Sequence, residues 1–324
     1  MIKIGIVGYG NLGRGVEYAV EQAADMELVA IFSRRPKSVE PRTNTAVVAL
    51  DEFKQWEGKI DVMVLCGGSS NDLPVQGPMI AEYFNTVDSF DTHADIPQYF
   101  ADMDGVLKTS QKLGVIAVGW DPGLFSMNRL LMSAVLPEGE SYTFYGKGLS
   151  QGHSNAIRQL DGVLDAVQYT VPIEESMEKV RTGQMPELSN RDKHIRECYV
   201  VLEEGVDAAK VETDICTMPN YFADNITLVN FISMEELERD HRNAVGHQGF
   251  VIRSGKTGEG IEQLLEFSLK LASNSEFTAS VMAAFARAIH IMANEGKSGA
   301  LTAFDIPIGL LSPKSSEELR AELL

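Results

Sequence analysis

Cysteine is scarce in these 324 residues: Cys66, Cys198 and Cys216 are odd in number, widely spaced and without a C-x-x-C pair. That speaks against a disulfide framework or a cysteine-based zinc knot, and buried or half-buried thiols are the expectation. The six histidines, His93, His153, His194, His241, His247 and His290, form no H-E-x-x-H and no zinc-type spacing with cysteine, so no metal site is expected. Long apolar runs are also missing. No stretch approaches the roughly 20 residues of a membrane-spanning helix, and the opening MIKIGIVGYG leads into structure without a signal-peptide pattern. A cytoplasmic protein with no membrane partner is expected. Basic residues are outnumbered 28 to 46, and a formal charge of −18 argues against general binding to nucleic acid or to an anionic surface. A few local arginines and backbone N–H groups can still hold an anionic cofactor.

What the sequence does have is a hydrophobic content of 44%, enough at this length for a substantial core divided between two domains. The apolar run at 2–7 is followed by a glycine-rich turn and by helical spacing over 14–25, where Val16, Ala19, Val20 and Ala23 share a face. Further strand-like runs lie at 28–32, 60–66, 86–90 and 115–119, the last after a helix-like 98–113. This alternation predicts a Rossmann-type, doubly wound parallel sheet over residues 1–120. From 121 to 274 the strand-like runs at 142–146, 166–171, 195–203, 226–232 and 249–254 sit among longer loops, which predicts a second α+β domain with a mixed or antiparallel sheet. The largely apolar segment 276–294 reads as a long helix, and the tail 275–324 is expected to pack back on the first domain or on a partner subunit.

Gly8, Tyr9, Gly10, Asn11, Leu12 and Gly13 fit G-x-G-x-x-G, whose glycines allow a tight turn, close backbone approach to a pyrophosphate, and close helix–strand packing. The six-residue pattern alone is weak, but here it joins an apolar strand to an amphipathic helix, the context that dinucleotide binding requires. The second strand ends in Ser33, Arg34 and Arg35, where NAD enzymes commonly place an acidic residue for the ribose 2′-hydroxyl. A hydroxyl and two guanidinium groups suit the 2′-phosphate of NADP instead, although a solvated basic turn would look the same. The third strand ends in Gly67, Gly68, Ser69 and Ser70, on the carboxyl edge of the sheet where such ligands lie; an ordinary turn would use the same residues.

Two motifs point elsewhere. Gly148-Leu149-Ser150-Gln151-Gly152 matches the hydrolase pattern G-x-S-x-G, and Asp224 and His247 follow in the right order, but that fold has no use for an N-terminal dinucleotide fingerprint. Gly255-Lys256-Thr257 resembles the end of a P-loop, yet the position of its first glycine is Phe250.

The strings GYGNLGR at 8–14, IFSRR at 31–35, DTHADIP at 91–97, GWDPGLFSMNR at 119–129 and GLSQGHS at 148–154 resemble the meso-diaminopimelate D-dehydrogenase family. The similarity continues through AVQYTVP at 166–172, TMPNYF at 217–222, VNFI at 229–232 and FTASVMAAFARA at 277–288, nearly the whole chain. The resemblance implies NADP-dependent oxidative deamination at the D-centre of meso-2,6-diaminopimelate, releasing ammonia, in lysine and diaminopimelate biosynthesis, by a homodimer. It places Asp91, Trp120, Asp121, Tyr145, Gln151 and Gly152 around the reacting D-centre, and Thr170, Arg196, His247 and Asn274 around the distal L-centre. Ser89, Phe90 and Asp91, with Val118, Gly119, Trp120, Asp121 and Pro122, are expected along the cofactor. The family often has tryptophan or phenylalanine where this chain has Tyr145.

The residue chemistry agrees with that assignment. A substrate with two ammonium and two carboxylate groups needs both signs of charge at its site. Asp91 and Asp121 each follow a strand end and can accept hydrogen bonds from an ammonium or a forming iminium, although turn and capping aspartates are common in such places. Arg196, as a bidentate fork, can hold a carboxylate together with Thr170 and His247. The chemistry needs a proton acceptor, and Asp91, Asp121 and His153 all remain candidates. Another NADP oxidoreductase of the aspartate pathway, such as a dihydrodipicolinate reductase, and a non-catalytic NADP sensor are the rival readings.

Overall fold

The computed structural model describes residues 1–241 and 246–324, and the side chain of Gln151 lies outside that description. The chain divides into two units, Met1–Met127 with Ser275–Leu324, and Asn128–Asn274.

The first unit carries β1 (Ile2–Val7), β2 (Met26–Ser33), β3 (Ala46–Ala49), β4 (Val62–Leu65), β5 (Asn85–Asp88) and β6 (Leu113–Val115). In order of sheet position the strands run β14-β6-β5-β4-β1-β2-β3, where β14 is the late strand Gly299–Leu301, and every pairing is parallel. Side chains alternate between two cores. Ile2, Ile4, Ile6, Val62 and Val64 join one, and Val7, Met63 and Leu65 join the other, so both faces of the sheet are covered. The helix Asn11–Glu21 supplies Val16 and Val20 to the first core, and the helix Asn274–Asn294 adds Met282, Phe285, Ile289 and Met292. The helices Leu73–Ala81 and Ile96–Ser110 close the second face through Leu73, Ile80, Met103 and Leu107. The strand order reverses between β1 and β4, the point at which open α/β sheets bind ligands beyond the carboxyl ends of their strands.

Residues 275–324 therefore pack on the dinucleotide-type unit. A Cβ on Gly15 would lie 2.9 Å from the Cβ of Ala279, so the two helices touch where only glycine fits. Arg287, buried, donates to both carboxylate oxygens of Asp25 at 2.5 and 2.9 Å and to the Leu311 carbonyl at 2.7 Å. The first unit also extends to Met127 rather than ending at residue 120, because Leu124 and Met127 of the helix Leu124–Val135 pack against its core. The last sheet strand of the N-terminal run is shorter than the expected 115–119: β6 ends at Val115, and Ala117 turns the chain with φ +56°.

The second unit holds two sheets. One runs β11-β10-β9-β8, from β8 (Gly148–Leu149), β9 (Val163–Pro172), β10 (His194–Leu202) and β11 (Ile226–Phe231), and is mixed, since only β10 and β11 are parallel. The other runs β13-β12-β7, from β7 (Gly139–Tyr145), β12 (His247–Thr257) and β13 (Ile261–Leu271), and is antiparallel.

Candidate active site

The glycine-rich turn leaves β1 at Gly8, whose φ of +88° suits a residue without a side chain. A Cβ on Gly13 would come within 2.2 Å of the Gly8 carbonyl oxygen, so the third glycine of the motif is fixed by helix–turn contact. Nothing lies within 4 Å of a Cβ on Gly10, which leaves room above the turn, and Gly10 caps the helix without a side-chain hydrogen bond. The first-turn N–H groups thus remain for an anion. Beside them opens a cavity of about 430 Å³, lined by Gly8, Tyr9, Gly10, Ser33, Arg34, Arg35 and Gly67 of the expected set.

Arg14, Ser38, Cys66, Asp72 and Gln76 line the same cavity and were not singled out from the sequence. Of these only Arg14 carried a local signal, as the residue that completes GYGNLGR. Asn11, Leu12, Gly13, Gly68, Ser69 and Ser70 are not among its lining residues. The Arg34 guanidinium lies 3.0 Å from the Asp72 carboxylate, whose other oxygen accepts the Gly68 N–H at 3.1 Å. Ser33 Oγ accepts the Arg35 N–H at 3.1 Å, and Ser38 Oγ donates to the Arg35 carbonyl at 2.9 Å, so the arginine turn is braced by hydroxyls on both sides. Tyr9 donates its hydroxyl to the buried Glu17, which also accepts the Thr43 N–H at 2.8 Å and the Thr43 hydroxyl at 2.6 Å. Burial raises the Tyr9 phenol to about 12, with the Glu17 bond acting in the same direction. Burial also pushes Glu17 up, but the hydrogen bonds from Thr43 and Tyr9 outweigh it and hold the carboxyl below its ordinary value.

At the ends of β5 and β6 the chain carries the other expected cofactor and D-centre residues of this unit. Asp91 is exposed, and its backbone N–H donates to Ser69 Oγ at 3.0 Å, which joins two of the expected segments. Trp120 is buried edge-on against Phe125 at 5.2 Å, and the Gly119 N–H closes a turn on the Pro122 carbonyl at 2.7 Å. Ser89 is half-buried, while Phe90 and Val118 are fully enclosed.

The second unit brings together several of the distal residues. Thr170 and Arg196 face each other across β9 and β10, and Arg196 donates a short hydrogen bond to the Thr170 hydroxyl. The Arg196 Nε is buried without a hydrogen-bond partner among the described residues, and burial lowers the affinity of this guanidinium for its proton. His247 packs its ring on Gly148, where a Cβ would come within 2.5 Å, and its Nδ1 contacts the Gln248 carbonyl at 2.9 Å. Tyr145 stacks on His194 at 5.5 Å and donates its backbone N–H to His194 Nε2 at 2.7 Å. His194 must therefore be neutral with Nε2 unprotonated, in keeping with burial and the Arg196 charge, which push it down to about 3. Gly152 is exposed near the start of the helix Gln151–Arg158, and Asn274 begins the helix Asn274–Asn294. His153 makes a 2.8 Å contact with Ser150 Oγ, and burial, then the Arg196 charge, push it down to about 4. The serine of the G-x-S-x-G string is spent on helix capping, where it accepts the His153 N–H.

Among the described residues no group of histidine, cysteine, aspartate and glutamate is arranged to hold a metal, and no helix is long and apolar enough to cross a membrane.

A profile of the Diaminopimelic acid dehydrogenase C-terminal domain matches residues 119–273. Over its full length the chain is 60% identical to the meso-diaminopimelate D-dehydrogenase of Ureibacillus thermosphaericus, covering 99% of that protein. It belongs to the meso-diaminopimelate D-dehydrogenase family. The solved Corynebacterium glutamicum DAP dehydrogenase in complex with DAP is 42% identical, with a TM-score of 0.92 over 100% of this chain and 99% of that one. An engineered D-amino acid dehydrogenase bound to NADP+ is 41% identical, with a TM-score of 0.87 and the same coverage. The dehydrogenase family thus accounts for the parallel sheet, the glycine turn and the second unit alike.

Proposed function

We propose that this dehydrogenase catalyses the NADP-dependent, reversible oxidative deamination of meso-2,6-diaminopimelate at its D-centre. The observation that carries the reading is the full-length kinship with meso-diaminopimelate D-dehydrogenases, joined to a cavity in which the glycine turn meets Arg34 and Arg35. The residues fit the cofactor: an open Gly10, an uncapped helix start for the pyrophosphate, and two guanidinium groups for the 2′-phosphate. When bound, NADP would supply the acceptor for the hydride that leaves the substrate's D α-carbon.

The chain's own residues supply recognition and proton handling. Thr170, Arg196, His247 and Asn274 hold the L-centre, with the fork of Arg196 for its carboxylate. To the D-centre we assign Asp91, Trp120 and Asp121 of the first unit, and Tyr145, Gln151 and Gly152 of the second, as the family resemblance implies. Loss of hydride requires a neutral amine lone pair, and the iminium formed on the substrate then takes up water and releases ammonia. The resulting L-2-amino-6-oxopimelate cyclises to tetrahydrodipicolinate. Asp91, Asp121 and His153 are the candidate proton acceptors; burial pushes His153 down to about 4, and its ring is engaged with Ser150 Oγ. A homodimer belongs to the same proposal, supported by Ile226, Leu228, Phe231, Ile261 and Leu264, large apolar side chains that β11 and β13 leave exposed.

The test mixes purified protein with NADP and each of meso-, LL- and DD-diaminopimelate and follows NADPH absorbance. Turnover is expected with the meso isomer. Comparable turnover of the LL isomer, which has no D-centre, would overturn the reading.

A further inference from the structure

Asp88 is the last residue of β5 and is completely buried, and no role in touching cofactor or substrate falls to it. Its carboxylate collects three neutral donors. Oδ1 accepts the backbone N–H of Phe90 and that of Ala117, both at 3.0 Å, and Oδ2 accepts the Tyr99 hydroxyl at 2.9 Å. The Asp88 carbonyl accepts the Val118 N–H at 2.9 Å. One residue thus binds the segment leaving β5 to the segment leaving β6. The first runs on to Asp91 and the second to Asp121.

Two further contacts show how tightly this junction is made. Tyr99 stacks on Phe90 at 4.2 Å with the rings 15° from parallel, so the donor on Oδ2 also braces the residue bonded to Oδ1. Ala117 sits at φ +56°, a conformation that favours glycine, with its N–H held by the carboxylate. Burial raises the Asp88 carboxyl to about 6, and the three hydrogen bonds only partly offset it. A desolvated charge with no cation beside it among the described residues is a costly way to fill this space, and an apolar side chain could make none of these bonds.

We propose that Asp88 is a positioning residue that fixes the two strand-end segments bearing Asp91 and Asp121 relative to each other through its bonds to Phe90 and Ala117. The inference rests on the dehydrogenase reading for its effect on turnover, but not for its effect on the backbone.

The experiment measures steady-state kinetics with meso-diaminopimelate, NADP binding, and backbone hydrogen exchange in the cofactor-free protein. Asp88→Ala should lower kcat by about 10- to 100-fold, the range for misplaced reacting groups, with a smaller loss of NADP affinity, because the loosened segments border the expected cofactor site while the glycine turn is untouched. Exchange should rise over 89–92 and 116–122 but not over 8–13. Asp88→Asn keeps an oxygen for both N–H groups and can donate to the Tyr99 oxygen, so its kcat should stay within about threefold of wild type. Adding Ala117→Gly to Asp88→Ala removes the strained Cβ and should recover at least about threefold in kcat. Tyr99→Phe leaves both backbone bonds and should keep kcat within about threefold; it carries the test if Asp88→Ala does not fold. Equal losses in Asp88→Ala and Asp88→Asn, a tenfold loss in Tyr99→Phe, or no recovery with Gly at 117 would each overturn the proposal. If the wild-type protein does not turn over the substrate, the exchange pattern alone decides: unchanged exchange at 89–92 and 116–122 refutes the positioning role, whereas the inactivity refutes only the dehydrogenase reading.

Discussion

Arg34 shows how much of the cofactor preference one side chain can carry. Its guanidinium is 70% exposed and already paired with Asp72 at 3.0 Å, so a bound phosphate must compete with a carboxylate. An exposed pair of this kind contributes about 0–1 kcal/mol, and a charge-assisted bond to phosphate contributes about 1.5–3 kcal/mol. The difference leaves about 1–2 kcal/mol for Arg34, or about 5- to 30-fold in the Kd of NADP. Arg35 adds a similar amount, so Arg34→Ala with Arg35→Ala should weaken NADP by roughly 30-fold to several hundred-fold. NAD, lacking the 2′-phosphate, should hardly respond. Asp72→Asn should act in the opposite direction: it removes the competing charge yet keeps an oxygen for the Gly68 N–H, and NADP should tighten by roughly two- to fivefold. Calorimetric titration of both cofactors at low and high salt would measure this, with the NADP advantage shrinking as salt rises. An unchanged ratio of NADP to NAD affinity in the double variant would refute the assignment of these arginines.

Two further outcomes are expected. Arg196→Met removes the fork beside Thr170 and should cost on the order of 2–4 kcal/mol in kcat/KM for meso-diaminopimelate, with NADP affinity retained; an equal loss for small D-amino acids, which lack the distal carboxylate, would place Arg196 in the chemistry instead. Asp88 also predicts a pH dependence of stability. Its folded pKa of about 6 lies above the ordinary 3.8, so the folded state binds the extra proton. That contribution is fully present below about pH 4 and is lost as pH rises through about 6, a change of about 3 kcal/mol. Asp88→Asn should flatten this part of the curve in urea denaturation, and identical slopes in the two proteins between pH 4 and 7 would contradict it.

The parts of the molecule that were legible in the sequence are those set by neighbours along the chain. The run at 2–7, the glycine turn and Ser33-Arg34-Arg35 fall where the structure has β1, the helix start and one wall of the cavity. The strands β3, β13 and β14 were not anticipated. Ala46–Ala49 and Gly299–Leu301 are too short to show a period, and β14 is defined only by its parallel partner β6, far away in sequence. In β13 the half-buried Leu265, Phe267 and Leu269 do alternate, but the polar Gln263 in the same phase and the exposed Leu264 out of phase break the pattern. The site followed the same rule. Asp72 and Asp88 have no motif around them; the guanidinium that pairs with Asp72 follows β2, and the Ala117 N–H that joins the nearby Phe90 N–H on Asp88 follows β6. The pairing of Thr170 with Arg196 likewise depends on the register of β9 against β10.

The discontinuity of the first unit bears on how the chain is born. During synthesis the ribosome releases Asn128–Asn274 as an uninterrupted stretch, whereas the dinucleotide-type unit must wait for residues 275–324. Until they emerge, Ile2, Ile4, Val16 and Val20 lack the cover that Met282, Phe285 and Ile289 give them, and the edge of β6 lacks β14. Domains usually mature in the order in which they are translated. Here that order is inverted: residues 1–127, made before 128–274, belong to the unit completed after it, and a nascent chain halted before residue 275 would expose the sheet of β1 to β6 to chaperones.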